Sequence, residues 1–384
     1  MHIPFHRPIT PRSFDEIYNN SIKQGWLTTG PNVKSFENSL SDYMNSNYVV
    51  ALNSCTAALH LALLSQNFKS GDKFIAPTHT FVASVEVGEY LGMEPVLIDS
   101  NQSGFNIDLN IVEDKLKKEK KIKAAIVVHF AGKSIDRESL FFLCSKYNIF
   151  LLEDSAHALE IKFNNNYDND LHALALSFYA NKNITTGGEG GAMVTNSKKI
   201  AETVRKLSLH GMSKDGWKRF KVGSKWGYDV SMLGYKYNMT DLSASFGISQ
   251  LKYVEKWAKI RYEIANYYNG SLKHIEGISL PKIQRNNHAW HLYIISINEK
   301  LWKINRDEII ELLNEAGIGT SVHYKPVHMH SYYIKKYGYK NIDFPRSSKL
   351  FKSIISLPFF PDLKQKEKSH IVETIDQIWL NNKL

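Results

Sequence analysis

The sequence has little cysteine and no long apolar run, and each shortage excludes a class of protein. Its 384 residues include only two cysteines, Cys55 and Cys144, so a disulfide framework is excluded and a reducing, cytoplasmic setting is expected. No run of about 18 apolar residues occurs, which excludes a transmembrane helix. The N-terminal MHIPFHRPITPRSF has no apolar segment, so we expect neither a secretory signal nor a membrane partner.

The composition is that of an ordinary globular protein with a basic surplus. Hydrophobic residues make up 43% of the chain and charged residues 22%, which excludes disorder as the main state. The 48 lysines and arginines outnumber the 38 acidic residues, giving a formal net charge of +10. This surplus favours an anionic ligand, a nucleic acid or an acidic surface, without choosing among them.

Short apolar runs rich in Val and Ile alternate with helical patterns in the first part of the chain. The predicted strands are Tyr48–Leu52, Lys73–Ala76, Pro95–Ile98, Ala124–Phe130 and Ile149–Leu152. The helices between them include Thr56–Leu64, Val82–Leu91, Ile111–Lys118 and Arg137–Tyr147. This alternation predicts an α/β fold with a largely parallel sheet that is covered on both faces.

The pattern changes near Asp241, where helical spacing of apolar residues runs to about Leu272 and predicts one long helix. The elements predicted after it are the strands Trp290–Ile297 and Gly319–His323 and the helices Asp307–Ala316 and Gln365–Leu380. They indicate a smaller α+β domain. We therefore predict a large domain over residues 1–245 and a small one over 246–384.

Two polar segments follow predicted strands. Asn53–Ala58 (NSCTAA) leads into a helix, whose first N–H groups offer a phosphate site, with simple helix capping as the alternative. A later strand ends in Glu153 and Asp154. Because ligands bind at the carboxyl ends of parallel strands, a carboxylate here can contact a cation or a protonated ring nitrogen. Capping of the next helix is the alternative.

Lys182 lies between Ser177–Asn181 (SFYAN) and the glycine-rich Thr185–Gly191 (TTGGEGG). A partly desolvated lysine in this position can form a Schiff base with a carbonyl, and a surface lysine before a tight turn is the alternative. The glycine cluster is neither a Walker loop nor a dinucleotide fingerprint.

Three histidines near the C-terminal strands, His323, His328 and His330, suggest a metal site. Their spacing is not a known zinc pattern and Pro326 interrupts it, so we expect no metal. The segment Gly234–Asp241 precedes the long helix, and its last residues can cap that helix.

Together these segments occur in the order found in a known family. The sequence resembles the pyridoxal-phosphate (PLP) sugar aminotransferases of the DegT/DnrJ/EryC1/StrS family over nearly its whole length. The motifs that carry the resemblance are GWLTTGP (25–31), NSCTAALHLAL (53–63), PTHTFVAS (77–84), LLEDSAHAL (151–159), SFYANKNITTGGEGG (177–191), GYKYNMTDL (234–242) and VHYKPVH (322–328). The resemblance implies the fold type I, aspartate aminotransferase-like architecture, with a large α/β domain and a smaller α+β domain.

The resemblance assigns the central chemistry to two residues. Lys182 would form the internal aldimine with PLP and move the proton between substrate and cofactor. Asp154 would pair with the pyridinium nitrogen and keep it protonated, which makes the ring an electron sink. Their separation, 182 − 154 = 28 residues, suits two neighbouring strands.

Other positions match the family's remaining contacts to the cofactor. Those that match phosphate contacts are Ser54, Cys55, Thr56, Ser177 and Asn238. Asn238 matches the contact made from the partner subunit, so the resemblance implies a homodimer with shared active sites. Phe81 matches the aromatic residue that stacks on the ring and His157 a position beside it, with core packing and helix packing as the alternatives.

Positions near the substrate follow from the same resemblance. They are Thr29, Glu189, Lys236, His323, Tyr324 and His328. Two glycines precede Glu189 where the common family form has one, and we expect a flexible turn to absorb the additional residue. Cys55 stands where glycine is commoner, and its small side chain should still permit phosphate approach. Leu209–Arg219 resembles relatives that aminate C4 of a 4-keto-sugar; a surface loop is the alternative.

We therefore expect an aminotransferase that uses PLP to pass an amino group from L-glutamate to a nucleotide-linked keto-sugar. The best match is C4 of a UDP- or dTDP-4-keto-6-deoxyhexose, in amino-sugar biosynthesis for a surface polysaccharide or glycoconjugate. Amination at C3 stays open. A PLP-dependent sugar dehydratase is disfavoured because such relatives replace the lysine with histidine, or use an iron–sulfur cluster for which two cysteines are too few. A non-enzymatic nucleic-acid-binding or regulatory protein lacks a recognition motif here.

Overall fold

The computed structural model of the protein describes residues 1–23, 25–102, 104–162, 170–212 and 229–384. Most of the predicted substrate segment Leu209–Arg219 lies outside the described residues, since only its first four residues fall within these ranges. Over the described ranges the chain forms a seven-stranded sheet and a three-stranded sheet.

The seven-stranded sheet is mostly parallel, as predicted. Its strands β1–β7 span Tyr48–Leu52, Lys73–Pro77, Glu94–Ile98, Ile122–Val128, Phe150–Asp154, His172–Ser177 and Gly191–Thr195. Their order is β1-β7-β6-β5-β4-β2-β3, and only the two pairs that involve β7 are antiparallel. Strand β4 ends at Val128, earlier than predicted, because Phe130–Gly132 turns into a short 3-10 helix in which Ala131 has a φ of 56°.

Helices cover both faces of this sheet. The helices α1–α7 span Ser13–Lys23, Pro31–Met44, Cys55–Leu64, Ala83–Glu89, Leu109–Lys118, Arg137–Tyr147 and Lys198–Leu207. Successive strand residues point to opposite faces, so Leu152 packs with α3 and α4 while Leu151 packs with α5 and α6. Each such fully buried leucine contributes roughly 1.5–3 kcal/mol relative to an exposed one. Both cysteines are free and buried.

The prediction of one long helix from Asp241 to Leu272 is wrong. The structure has α8 over Asp241–Leu251 and α9 over Val254–Leu272, separated by two residues. Tyr253, the N-cap residue of α9, has φ −108° and ψ −2°, which deviate from the usual helical values near −63° and −42°. Because α8 packs in the core beside α2 and most of α9 packs in the core of the smaller sheet, the break turns each apolar face toward its own core.

The C-terminal region forms a three-stranded antiparallel sheet of order β10-β9-β8 with helices around it. The strands β8–β10 span Ile278–Ser279, Tyr293–Ile297 and Ile354–Leu357, and the helices α10–α13 span Arg306–Glu315, Ser331–Tyr337, Pro345–Ser353 and Gln365–Asn382. The predicted strand Gly319–His323 is wrong, since only Ser321 forms a bridge, with Ser356. The reason is that Ile3, near the N terminus, forms the neighbouring backbone hydrogen bonds. Its N–H donates to Gly317 O, and its carbonyl accepts from Gly319 N–H.

The two regions interlock at several points. Ile3 packs in the core of the smaller sheet, and Val327 and Tyr333 pack in the core of the larger one. Residue 245 lies inside α8, and the division into residues 1–245 and 246–384 stays a prediction. Among the described residues, no helix is both long and apolar enough to cross a membrane.

Candidate active site

An open cavity of about 460 Å³ lies where β1, β2, β5 and β6 end. This is the edge of the sheet at which the sequence predicts a ligand site. The predicted site residues that line the cavity are Ser54, Cys55, Thr56, Phe81, Asp154, His157, Ser177, Lys182, Glu189, His323 and Tyr324. The structure thus brings together residues from five separate sequence motifs.

Asp154, the last residue of β5, presents its carboxylate at the floor of the cavity. Its Oδ2 accepts a hydrogen bond of 2.7 Å from the Ser84 hydroxyl, and its Oδ1 accepts one of 3.0 Å from the Ala156 N–H. The side chain is only 6% exposed. Ser84 was not among the predicted site residues, although it ends the motif PTHTFVAS; a hydroxyl at the start of α4, directed to the ends of the parallel strands, was the available signal.

Lys182 lies in the turn after β6, and its backbone N–H donates to Tyr179 O at 2.9 Å. Burial lowers the pKa of its amine to about 8, although Asp154 and Cys55 act in the opposite direction. A lysine with this pKa carries a far larger neutral fraction at neutral pH than a free lysine does. Lys182 therefore lines the cavity with an amine that is partly neutral at neutral pH, which the Schiff-base interpretation requires.

The glycine-rich segment folds back over the lysine turn. Phe178 N–H donates to Gly190 O at 2.8 Å and Ala180 N–H donates to Gly188 O at 2.9 Å. Gly187 and Gly188 have φ of 89° and 133°, values that favour glycine, so two consecutive glycines suit this turn. Glu189 follows directly and is exposed on the cavity wall.

The start of α3 forms another wall. Ser54 caps the helix, its Oγ accepting from Ala57 N–H at 3.0 Å, so the capping interpretation holds. The N–H groups of Cys55 and Thr56 precede the first hydrogen bond within the helix and point toward its N-terminal end, where an anion is stabilised. A Cβ at Gly191 would lie 2.4 Å from Cys55 N, so the glycine lets β7 approach this helix start. Burial raises the pKa of the Cys55 thiol, which keeps it neutral.

Aromatic and imidazole rings close the cavity on the side of the C-terminal region. Phe81 is 56% exposed, so its ring is a wall of the cavity and not part of the core. Its centroid lies 5.6 Å from that of Tyr324, and Tyr324 Oη lies 3.1 Å from His157 Nε2. Nδ1 of His323 is bonded to Ser356 Oγ at 2.8 Å, and burial lowers the pKa of this histidine to about 3.

Four predicted site residues do not line this cavity. Thr29, Lys236 and Asn238 form a cluster of their own, in which Asn238 Nδ2 donates to Thr29 Oγ1 at 2.7 Å and Lys236 Nζ donates to Asn238 Oδ1 at 2.6 Å. Asn238 pairs with Leu52 at the end of β1. His328 lies elsewhere and is buried, its Nδ1 2.7 Å from Thr78 Oγ1 and its Nε2 2.9 Å from Ser348 Oγ.

The three histidines His323, His328 and His330 do not form a metal centre in the part of the chain that is described. Within it, no group of three or more His, Cys, Asp or Glu side chains is placed to hold a metal ion. His323 and His328 bond to the hydroxyls named above, and His330 Nε2 lies 3.2 Å from Lys325 O.

The donor set of the cavity matches the functional groups of PLP. An amine of lowered pKa can react with the aldehyde of PLP, and a buried carboxylate can pair with its ring nitrogen. The N terminus of a helix can bind its phosphate. In addition, the cavity-lining Asn181 carries a buried Oδ1 without a partner among the described residues. Fold and site together define a PLP-dependent transferase of fold type I.

The chain belongs to the DegT/DnrJ/EryC1/StrS aminotransferase family, whose model matches residues 10–376. It is 37% identical over 379 residues to the spore coat polysaccharide biosynthesis protein SpsC of Bacillus subtilis (strain 168), covering 98% of this chain and 97% of that protein. It is 32% identical over 383 residues to the UDP-4-amino-4-deoxy-L-arabinose–oxoglutarate aminotransferase of Shewanella sediminis (strain HAW-EB3), covering 98% of each.

A solved structure shows the same fold. A Streptococcus pneumoniae protein in its PMP form superposes with a TM-score of 0.89 at 30% identity, covering 99% of this chain and 100% of that chain. The same protein in its PLP form gives a TM-score of 0.88. The present protein is accordingly a PLP-dependent sugar aminotransferase, as the sequence predicts.

Proposed function

We propose that this protein transfers the amino group of L-glutamate to C4 of a UDP- or dTDP-linked 4-keto-6-deoxyhexose. The product would be an amino sugar for a surface polysaccharide or glycoconjugate. The observation that carries the proposal is the convergence of Lys182 and Asp154 in one open cavity. The names of the two relatives support it, since one acts in polysaccharide biosynthesis and the other exchanges an amino group between a UDP-linked 4-amino sugar and oxoglutarate.

Two residues carry the chemistry in this proposal. PLP, when bound, supplies an electron sink for the carbanion left by proton removal. The neutral amine of Lys182 would take the proton from the α-carbon of glutamate and, in the second half of the reaction, deliver a proton to the sugar carbon that receives the amine. Asp154 would keep the ring nitrogen protonated, and Ser84 fixes the direction of the Asp154 carboxylate. Cys55, a neutral thiol whose Sγ lies 3.9 Å from Asp154 Oδ1, adds no charge that would compete.

The remaining cofactor contacts follow from the shape of the cavity. The N–H groups of Cys55 and Thr56, with the side chains of Ser54 and Ser177, would bind the phosphate, because they meet at the N-terminal end of α3. Phe81 would stack on the ring and His157 would lie beside it. The exposed face of Phe81 supports this role, since a core residue would be covered.

Substrate contacts are assigned to the outer wall and to a second copy of the chain. Glu189, His323 and Tyr324 line the cavity and would contact the sugar. The cluster of Thr29, Lys236 and Asn238 lies outside its own cavity and would complete the site of the partner in a homodimer. The alternation of a hydroxyl, an ammonium and an amide in this cluster suits a phosphate, and the net charge of +10 suits a diphosphate-linked substrate. His328, buried between two hydroxyls, would support the site from a distance.

A substrate panel tests the proposal. The enzyme loaded with PLP is incubated with L-glutamate and each of a set of UDP-, dTDP- and GDP-linked 3-keto and 4-keto sugars. We expect 2-oxoglutarate to form in step with a 4-amino sugar, identified by mass and NMR. An amine at C3 would contradict the assigned position while leaving the sugar aminotransferase in place. Bleaching of the cofactor band by glutamate, followed by no turnover of any sugar, would contradict the sugar substrate proposed here.

A further inference from the structure

Asn183 follows Lys182 directly and carries a buried amide that is bonded at both of its ends. It is 7% exposed, and its side chain bonds to two other segments of the chain. Nδ2 donates to Glu160 Oε1 at 2.6 Å and to Ala289 O at 3.0 Å. Oδ1 lies 3.0 Å from His291 Nδ1. The backbone carbonyl of Ala289 accepts only, so it fixes which end of the amide carries the hydrogens.

The orientation of this amide determines the state of His291. Because Asn183 Oδ1 can only accept, Nδ1 of His291 must carry the hydrogen. Burial, with the nearby His157 and Lys182, holds the pKa of His291 well below its usual range, so the ring is neutral. Asn183 therefore selects one tautomer of a neutral histidine and locks the plane of its ring.

His291 in turn packs on His157, which lines the cavity with Lys182. The two ring centroids are 4.4 Å apart. The backbone N–H of Ala131 donates to His157 Nδ1 at 3.2 Å, which leaves the hydrogen of the neutral ring on Nε2, facing Tyr324 Oη at 3.1 Å. Burial, Lys182 and His323 keep the pKa of His157 low. The contacts thus define the orientation of both rings beside Lys182. They place the ring hydrogen of His291 on Nδ1 and that of His157 on Nε2.

Glu160 holds the other end of the amide. Burial raises its pKa to about 7, although Arg261 opposes that shift, and its second oxygen Oε2 is buried without a partner among the described residues. The other charged or titratable groups that face it are Glu255, Tyr43 and Lys162. A strong bond to Asn183 Nδ2 is therefore the best-defined contact of this carboxyl group.

We propose that Asn183 is a positioning residue that fixes the turn carrying Lys182 to the His291–His157 ring pair, with Glu160 as its anchor. The proposal rests on the function proposed above only for the choice of substrates. A shift of Asn183 would move two walls of the cavity at once, since the residue is adjacent to Lys182 in the chain and bonded to His291. Misplacement of reacting groups by about 1 Å can cost on the order of 100-fold in rate.

The test uses the PLP-loaded enzyme with Asn183→Ala, Glu160→Leu and Glu160→Gln, and with Asn269→Ala as the matched control. Asn269 also bonds through both ends of its amide, to Pro281 O and Tyr293 Oη, but lies in the C-terminal core region. We expect Asn183→Ala and Glu160→Leu to lower kcat about tenfold or more, with KM changed less than about threefold. The kcat of the double variant should be at most about twofold lower than that of either single variant, because both substitutions remove the same interaction.

Two readouts separate positioning from general damage. The pH midpoint of the cofactor absorption band reports the environment of Lys182; it should move in Asn183→Ala and Glu160→Leu and stay in Asn269→Ala. Glu160→Gln should stay close to wild type, because its amide oxygen still accepts from Asn183. An unmoved midpoint and an unchanged kcat in folded Asn183→Ala would overturn the proposal, as would a Glu160→Gln variant as impaired as Glu160→Leu.

The role of Asn183 can still be tested if one variant does not fold or if the proposed substrate is wrong. Should Asn183→Ala not fold, the contrast between the two Glu160 variants carries the same test. The band midpoint needs no sugar, so it judges Asn183 even where the substrate panel gives no turnover.

Discussion

The hydroxyl of Ser84 donates a 2.7 Å hydrogen bond to Oδ2 of Asp154, and both side chains are buried. Thr80 Oγ1 lies 3.0 Å from the same hydroxyl, and Ala156 N–H occupies the other carboxylate oxygen. A carboxylate held at both oxygens keeps one direction, which is what a partner for a cofactor ring nitrogen needs. Ser84 does not line the cavity, so any effect that it has on the proposed cofactor contact would pass through Asp154.

Ser84→Ala should weaken the site without removing it. A hydrogen bond to a charged group is worth about 1.5–3 kcal/mol, which corresponds to roughly 10- to 100-fold in an equilibrium or a rate. We expect cofactor affinity and kcat to fall within that range, measured by spectroscopic titration with PLP and by steady-state kinetics. Ser65→Ala is the control, because its buried hydroxyl bonds only to Ala62 O and to a neighbouring side chain. Equal losses in both variants would show a general stability effect.

Lys182→Ala should abolish the visible absorption band of the PLP-loaded protein, because no other described lysine lines the cavity. The far-UV circular dichroism should be that of the wild type, since the side chain of Lys182 lines the cavity. Amino transfer should fall by several orders of magnitude. Lys198→Ala, on the exposed surface of α7, is the control and should keep both band and activity. Transamination at the wild-type rate by Lys182→Ala would refute the role assigned to this residue.

The parallel sheet and the core of the site could be predicted from the sequence because both depend on local pattern. Strands such as Tyr48–Leu52 are short apolar runs with clear ends, and Asp154 stands at the end of one of them. Lys182 and Asp154 meet because β5 and β6 are neighbours with the same direction. The order of motifs along the chain then specified the family.

Contacts between distant segments could not be predicted. The bonds of Asn183 to Glu160 and to Ala289 join residues far apart in sequence, and no local pattern encodes them. The break after Leu251 was missed for a related reason, since helical spacing continues through it while the two helices pack on different cores. The contacts of His328 could not be predicted either. Both of its ring nitrogens bond to hydroxyl groups from segments that are distant in sequence.

The capture of PLP by the cofactor-free protein should depend on pH through Lys182. The pKa of about 8 means that roughly a tenth of the amine is neutral at pH 7, against well under a thousandth for a free lysine. Because only the neutral amine attacks a carbonyl, the second-order rate of band formation should rise close to tenfold between pH 6 and pH 7 and level off above pH 8. Stopped-flow mixing with PLP at constant ionic strength measures it. A rate that still climbs tenfold per pH unit above pH 9 would contradict the lowered pKa.

Glu153 should be a major stabilising residue beneath the site, because its buried carboxylate joins three elements. Arg137 donates to both of its oxygens, at 2.7 and 2.8 Å, and Nε2 of His129 and of His172 lie 2.8 and 2.7 Å from it. Burial alone would raise the pKa of Glu153, but Arg137 and the two histidines outweigh burial and hold it well below its usual range. Successive residues of β5 point to opposite faces, so this network lies under the sheet while Asp154 faces the cavity.

Removal of this carboxylate leaves Arg137 facing a gap, so Glu153→Ala should lower the free energy of unfolding by about 3–5 kcal/mol at pH 7. The contribution of the charge is present above the unfolded pKa of about 4.3 and is lost as the pH falls through the lower folded value. The difference between wild type and Glu153→Gln should therefore shrink on acidification below pH 4. Urea unfolding at a series of pH values measures both effects, with Glu373→Gln on the exposed side of α13 as the control. A difference that stays constant down to pH 2 would show that packing, and not the charge of Glu153, stabilises this layer.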